Sequence, residues 1–287
     1  MRHAGLPNRN AAQKDAQARQ IGFRHVMTHS VQLTPRQLSA FLDDDLDGTG
    51  PCRVREDLAL DDLAGTDVLP NARILLAELE RGRAKLTGKG RLNREFVAIL
   101  MERFQWRDLD PAGVRAVSKV VNEGDFPPAR YLHAVLKLSG LVRRDKGYLV
   151  TTRKGRDLLA EEQAGRLQAT LFRTTFVRYN PAYLDAFDMP EVFAPQISLI
   201  LFLIGQFRAE WRPAEAILRS TTLPIRELTE PSHPRLPPAA FSARVLRYLH
   251  WFGLMEEGQG VANQDWGQPR LYRKTALYDR MLRFAVP

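Results

Sequence analysis

The sequence contains little cysteine and no long apolar run. Cys52 is the one cysteine among 287 residues, which excludes an internal disulfide and a cysteine-based zinc cluster. The longest strongly apolar run, residues 197–204, is far shorter than the roughly 20 residues of a membrane helix. No apolar stretch follows the basic residues near the start, as it would in a secretory signal. We therefore expect a cytoplasmic protein that makes no membrane contact.

Motifs of catalysis and metal binding are also missing. The stretch "DDDLDGTGPCRV" begins like a calcium loop, but Val54 stands where such a loop needs its bidentate Glu. "HVMTH" spaces His25 and His29 like zinc ligands, but Val26 replaces the Glu of a zinc protease. No nucleophile motif and no phosphate-binding loop is present. We expect no enzymatic activity, no cofactor and no metal.

What the sequence does have is a concentrated basic block. The net charge is +9, yet residues 31–80 carry −7 and residues 81–160 carry +10. A cluster of positive charge attracts polyanions such as nucleic acid. The basic block therefore indicates where a nucleic-acid surface would lie, and the acidic segment could either leave that surface open or cover it.

The pattern "LHAVLKLSGLVRRDKGYLVTTRKGRDLL" lies inside the basic block. A helix begins at Pro127, because proline is tolerated in the first turn, and ends at Gly140. An Asp-Lys-Gly turn between two short strands then predicts a hairpin. The same order recurs near the end of the chain, where "VLRYLHWFGLMEE" aligns with "LHAVLKLSGLVRR" and places Gly253 on Gly140. Thr275 likewise falls on Thr152.

Each half reads helix, short strand, helix, helix, strand, turn, strand. "SGLVRR" followed by "YLVTT" resembles bacterial winged helix-turn-helix regulators, in which the helix before "GLV" is the recognition helix and the hairpin is the wing. The longer stretch from "AKLTGKGRLN" to "RKGRDLL" resembles the helical region of proteins related to the plasmid pRiA4b ORF-3 family, over about residues 72–180. The resemblance to that family implies no particular activity for this chain. The resemblance implies a mainly α fold with short β-hairpins (α+β) and two winged helix-turn-helix domains in tandem.

The predicted organisation has five parts. They are a disordered basic arm at 1–30 (its first 26 residues either disordered or upstream of the real start codon), an acidic helix and loop segment at 31–71, a first winged-helix domain at 72–160, a linking helix and loop at 161–194 and a second winged-helix domain at 195–287.

The first domain carries the candidate nucleic-acid site. Arg130, His133 and Lys137 are spaced to share one helix face, with apolar residues behind them. Further cations on the wing and the next helix start could hold phosphates, namely Arg143, Arg144, Lys146, Arg153, Lys154 and Arg156. We expect residues 127–139 to enter the major groove of double-stranded DNA, in a transcription-regulator-like protein.

The second domain differs in charge. Glu256 and Glu257 stand where the first wing has two arginines, and carboxylates repel phosphate. Arg270, Arg273 and Lys274 could neutralise them within the hairpin. Arg244, Arg247 and His250 give the preceding helix basic character over a wider arc. We expect this wing to face either a protein surface, from a partner or a second copy in a homodimer, or solvent. The alternative for the whole chain is a protein-interaction or scaffold module built on winged helices with no DNA contact.

Overall fold

A computed structural model describes residues 27–28, 31–107, 109–117, 120–185, 187–259 and 270–286. The chain is a mixture of helix and sheet, which confirms the α+β class at that level. Most of the predicted arm and both histidines of "HVMTH" lie outside the described residues. No helix in the described ranges is long and apolar enough to cross a bilayer.

The first half of the chain places a three-stranded sheet against helices. The longer helices are Pro35–Leu42, Val68–Arg81, Arg94–Arg103, Pro111–Val117 and Pro127–Leu138, and the short Arg153–Asp157 follows the hairpin. The strands are β1 (Met27–Thr28), β2 (Val31–Gln32), β3 (Cys52–Val54), β4 (Ala84–Lys85), β5 (Val142–Asp145) and β6 (Tyr148–Thr151). An antiparallel sheet forms in the order β4-β6-β5, so β6 is the central strand and pairs with both β4 and β5.

The second half repeats this plan. Its helical segments are Ala164–Arg173, a π-helical turn at Thr174–Arg178, Ile197–Gly205, Ala214–Thr221, Arg226–Thr229, Leu236–Phe241, a second π-helical turn at Ser242–Leu246, Arg247–Trp251 and Ala276–Met281. Its strands are β7 (Arg212–Pro213), β8 (Met255–Gln259), β9 (Arg270–Lys274) and β10 (Leu282–Phe284). The order β7-β9-β8 matches β4-β6-β5. We name 84–157 the first repeat and 212–281 the second repeat.

The match between the repeats extends to single hydrogen bonds. Gly140 and Gly253 end equivalent helices with φ of 73° and 72°, a left-handed conformation that glycine adopts without strain. Thr152 Oγ1 donates to the carbonyl of Gly140 at 2.8 Å and to that of the next residue at 3.2 Å. Thr275 Oγ1 makes the same two bonds behind Gly253, at 2.8 and 3.2 Å. The predicted alignment of these glycines and threonines is therefore confirmed.

An aromatic joint holds the two halves together, and we define it as Trp106, Tyr131, Tyr179, Tyr248 and Trp251. The Tyr131 ring lies 5.3 Å from Tyr248 and 5.2 Å from Trp251, measured between centroids. Trp106 meets Trp251 edge-on at 4.9 Å. Burial raises the pKa of Tyr131 above its ordinary range and that of Tyr179 to about 12. The equivalent helices 127–138 and 236–251 thus face each other through aromatic side chains.

A second connection between distant parts of the chain is the antiparallel pair β3–β10, in which Val54 is opposite Leu282. The sequence predicted only helix and loop for the acidic segment 31–71. A helical turn is present at Asp61–Leu63, but the strand Cys52–Val54 was missed, and the next helix begins at Val68, inside that segment. The strand could not be inferred because its partner lies more than 200 residues away.

The segment predicted as a linker is part of the core. Its helix Ala164–Arg173 crosses the acidic segment at Gly165, where a Cβ would lie 2.5 Å from the carbonyl oxygen of Glu56. Arg173 donates to the Leu46 carbonyl at 2.8 Å and to the Val54 carbonyl at 3.2 Å. The linking helix therefore anchors the acidic segment to the rest of the chain.

Candidate nucleic-acid interface

The helix Pro127–Leu138 exposes only a narrow face. Lys137 is exposed, Arg130, Ala134 and Leu138 are half-buried, and most remaining side chains of the helix are buried. At 100° per residue the accessible side chains span an arc of about 100°. Arg130 and Lys137 do share this face, as predicted, although Arg130 also lies near the phenol of Tyr179.

His133 does not belong to that face, which corrects the sequence prediction. It is 8% exposed, and its Nδ1 lies 2.7 Å from a carboxylate oxygen of Glu123. The other oxygen of Glu123 accepts a hydrogen bond from the Leu92 backbone N–H at 2.7 Å. Glu123 is itself buried, so the carboxylate fixes His133 inside the protein and the imidazole cannot reach a ligand at the surface.

The first hairpin, β5–β6, presents its cations to solvent. Its two-residue turn has positive φ at Lys146 (45°) and Gly147 (85°), the pattern of a type I′ turn. Arg143 is 58% exposed at its side chain and lies 3.3 Å from Asp145. Arg144 and Lys146 are exposed and form no ion pair within the part of the chain that the structure describes. Two hairpin cations are therefore available to a partner.

The cations after the hairpin are exposed but engaged. Lys154 Nζ donates to the carbonyl of Ser139 at 3.2 Å, so it caps the C-terminal end of the preceding helix. Arg156 donates to a β6 carbonyl at 3.2 Å and lies 3.7 Å from the carboxylate of Glu80. Arg153 lies 3.9 Å from a carboxylate one turn along its own helix. These three residues stabilise the fold locally, and a phosphate would compete with existing interactions.

Two basic residues that sequence reasoning missed lie beside the hairpin. The Arg83 guanidinium is 4.0 Å from the centre of the Tyr148 ring, a cation–π contact. Lys85 on β4 is paired with Tyr148 across the sheet. Both cations are exposed. The only sequence signal was the short basic strand itself, whose partner strand lies about 60 residues later. We define the basic hairpin surface as Arg83, Lys85, Arg143, Arg144 and Lys146.

The acidic segment 31–80 does not cover this surface. Asp67 pairs with Arg107 at 2.9 Å, Asp62 pairs with Arg280 at 3.0 Å, and Glu56 pairs with Arg173. Burial raises the pKa of Asp67 above its ordinary value, against the effect of the Arg107 charge. Among the described residues, no carboxylate of this segment forms an ion pair with the basic hairpin surface.

The second hairpin, β8–β9, has the same register and different electrostatics. Glu256 faces Arg273 across the strands and accepts a hydrogen bond from its Nε at 3.0 Å. Glu257 lies 3.1 Å from Arg270. The predicted neutralisation of both glutamates within the hairpin is therefore confirmed for the two arginines, whereas Lys274 pairs with Asp279 at 2.9 Å. The Arg273 guanidinium also stacks on Trp211, 4.6 Å from the ring centre.

The expected basic arc on the helix before this hairpin is largely absent from the surface. The Arg244 side chain is fully buried and its Nε donates to Asp185 at 2.7 Å. His250 is 6% exposed, with Nδ1 lying 3.0 Å from the Met255 carbonyl. Arg247 alone of the three predicted residues is partly exposed. A helical pattern cannot distinguish a solvated cation from one that a distant carboxylate holds in the core.

The stretch that begins like a calcium-binding loop stabilises the fold through hydrogen bonds. Asp44 is buried, and its Oδ2 accepts hydrogen bonds from the Cys52 N–H at 2.8 Å and from Ser198 Oγ at 2.7 Å. No group of three or more metal-ligating side chains occurs within the described ranges. The carboxylate of Asp44 thus organises the turn between the first helix and β3.

Comparison with known proteins finds similarity over about a third of the chain. Residues 64–165, which contain the first repeat and the basic hairpin surface, match the Y4jL N-terminal domain. The chain is 38% identical over 101 residues to the uncharacterized protein y4jL of Sinorhizobium fredii (strain NBRC 101917 / NGR234). That similarity covers 35% of this chain and 46% of the relative, so the chain spans less than half of the relative's length. No solved structure matches the chain.

Proposed function

We propose that this protein is a nucleic-acid-binding, transcription-regulator-like protein without enzymatic activity, acting in the bacterial cytoplasm. Its two repeats would be winged helix-turn-helix units in tandem, related to the pRiA4b ORF-3 group. The observation that carries the proposal is the basic hairpin surface, which is exposed, concentrated on one sheet and not covered by the acidic segment. Such a surface suits the phosphate backbone of double-stranded DNA.

The geometry favours binding through the wing more than through the helix. Arg144 and Lys146 lie on the hairpin without competing ion pairs, and Tyr148 orients the Arg83 guanidinium. Arginine binds phosphate oxygens with directed hydrogen bonds, and lysine acts as a point charge. The helix would reach the groove only by its narrow face, with Arg130 and Lys137 at one edge. Binding would thus depend strongly on salt and weakly on base sequence.

A second candidate function is a protein contact through the second hairpin. Its glutamates are paired internally, and Trp211 beside it is 42% exposed. A nearly neutral hairpin with an exposed aromatic ring suits a partner protein or a second copy of the chain better than phosphate. Under this alternative the winged helices would form an interaction or scaffold module, and the first hairpin would not bind DNA.

The decisive experiment removes the hairpin cations. We expect Arg143→Ala, Arg144→Ala and Lys146→Ala together to weaken binding to any duplex. Each of these side chains either binds a phosphate itself or supports a neighbouring side chain that does. The slope of log K against log salt should flatten by about 0.9 for each phosphate that is no longer neutralised. Fluorescence anisotropy with a labelled duplex at several salt concentrations measures both quantities.

A matched control removes the same charge elsewhere. Arg166→Ala, Arg219→Ala and Arg226→Ala delete three exposed arginines that lie away from the basic hairpin surface. This control should bind a duplex nearly as the unaltered chain does. The proposal is wrong if the unaltered chain binds no duplex, or if the hairpin variant and the control lose affinity equally.

A further inference from the structure

A cavity of about 530 Å³ lies in the second repeat, and Ala243 and Arg247, which line it, stand at the places of Arg130 and Ala134 in the first repeat. One wall is the helical run 236–251, where Ala239 and Ser242 have short side chains and leave space beside the backbone. The facing wall begins at Pro213, where β7 meets the next helix. Its volume falls within the range of about 300–1,000 Å³ that is typical of small-molecule sites.

The charged groups at this cavity favour an anion. Arg235, Arg247 and Arg270 line it, against the carboxylate of Glu215. Glu215 is already paired with Arg219 on its own helix. Arg270 shares its charge with the second hairpin, whereas Arg247 forms no ion pair within the described residues. An arginine held at the edge of a concave site is well suited to bind a carboxylate or phosphate group through two parallel hydrogen bonds.

The remaining walls are apolar and rigid. Phe187, Pro213, Pro234 and Pro238 contribute ring surfaces, and Ala239 adds a methyl group. Proline and a short side chain lose little conformational entropy when a ligand binds, so these walls are preorganised. A ligand that fills the cavity would therefore combine one anionic group with a flat or branched apolar body.

We infer that this cavity binds a small organic anion, with the carboxylate or phosphate on Arg247 and the apolar part on the proline and phenylalanine walls. The inference goes beyond nucleic-acid binding, because it assigns a separate ligand to the second repeat. A duplex backbone offers the same anionic chemistry. It lacks the compact apolar body, however, and its sugars and bases exceed a cavity of this size.

Isothermal titration calorimetry of the full chain tests the inference with benzoate and phenyl phosphate as probes. Benzamide, which has the same ring without the charge, is the control ligand. We expect at least one anion to bind with a stoichiometry of one and benzamide to bind far more weakly. Arg247→Ala should weaken that binding about 10- to 100-fold, the usual loss for hydrogen bonds to a charged group. Arg226→Ala, which removes an exposed arginine whose ion-pair partner Glu230 does not line the cavity, should leave it unchanged.

Measuring duplex binding by Arg247→Ala shows whether Arg247 binds a small organic anion or the phosphate backbone of a duplex. If that variant binds a duplex normally and loses the aromatic anion, the small-molecule site stands, even where the basic hairpin surface fails its own test. The inference is overturned if neither probe binds, or if Arg226→Ala and Arg247→Ala weaken the binding of the probes equally. It is also overturned if Arg247→Ala impairs duplex binding while neither anion binds, since the cavity would then belong to the nucleic-acid surface.

Discussion

The two hairpins share one backbone design and differ in charge. Arg143 and Glu256 occupy equivalent places, since each faces the equivalent residue of the neighbouring strand, Val150 in one case and Arg273 in the other. The first hairpin leaves cations in solvent, and the second pairs its carboxylates internally. The backbone geometry therefore depends on a few positions, such as the glycine and threonine behind each hairpin, and leaves the exposed positions free to diverge.

The same contrast exists in the interior. Tyr131 and Arg244 stand at equivalent positions of their helices, and both side chains are fully buried. Tyr131 joins the two halves through aromatic contacts, whereas Arg244 binds Asp185 and donates to the Pro190 carbonyl at 2.9 Å. One backbone position can thus support apolar or ionic packing, provided that every polar group finds a partner.

The largest expected effect comes from breaking the aromatic joint. Tyr131→Ala should lower the free energy of unfolding by about 3–5 kcal/mol, because it leaves a cavity among packed rings. Tyr131→Phe keeps the ring and removes only the hydroxyl bond to Thr175, so it should cost about 1 kcal/mol. Urea denaturation followed by tryptophan fluorescence measures both. A decrease below about 1 kcal/mol for Tyr131→Ala would show that the halves do not depend on this joint.

A smaller effect should separate the two threonine anchors. Thr152 also accepts a hydrogen bond from the Gly155 N–H at 3.1 Å, whereas Thr275 makes no side-chain cap bond. Thr152→Ala should therefore lower the free energy of unfolding more than Thr275→Ala, by about 1 kcal/mol, the usual value of an N-cap. Chemical denaturation of the two single variants makes the comparison. Equal decreases would mean that the cap bond contributes nothing here.

The smallest effect should come from making the second hairpin resemble the first. Glu256→Gln with Glu257→Gln releases Arg273 and Arg270 from their pairs, so affinity for a duplex should rise several-fold and the salt slope should steepen by up to about 0.9 for each additional phosphate neutralised. The free energy of unfolding should change by less than about 1 kcal/mol, since these pairs are only partly buried. Anisotropy titrations measure the affinity.

Glu102→Gln with Glu230→Gln is the matched control, because it removes the same charge from two exposed ion pairs outside the sheet of the second hairpin. A loss of duplex binding in the Glu256 and Glu257 variant, with the control unaffected, would make the second hairpin a specific reader.

Local features of the fold could be predicted from sequence, and long-range ones could not. The prolines at 127–128, Gly140 and the Asp-Lys-Gly turn determine backbone geometry within a few residues, and the structure has the helix and the hairpin where they indicate. The burial of His133 depends on Glu123, which a helical pattern does not place. Arg83 reaches the hairpin only because β4 pairs with β6. The charge of a side chain can be read from the sequence. Whether that side chain is exposed to solvent depends on partners that are distant in the sequence.

The pairing of β3 with β10 has a consequence for the order in which the chain folds. Residue 284 must leave the ribosome before Cys52–Val54 can gain its partner strand. Until the second repeat is made, Trp106 and Tyr131 have none of the rings of Tyr248 and Trp251 to cover them. Part of the aromatic face of the first repeat therefore stays uncovered until the second repeat has been synthesised, and β10 is the last of the described strands to find its partner.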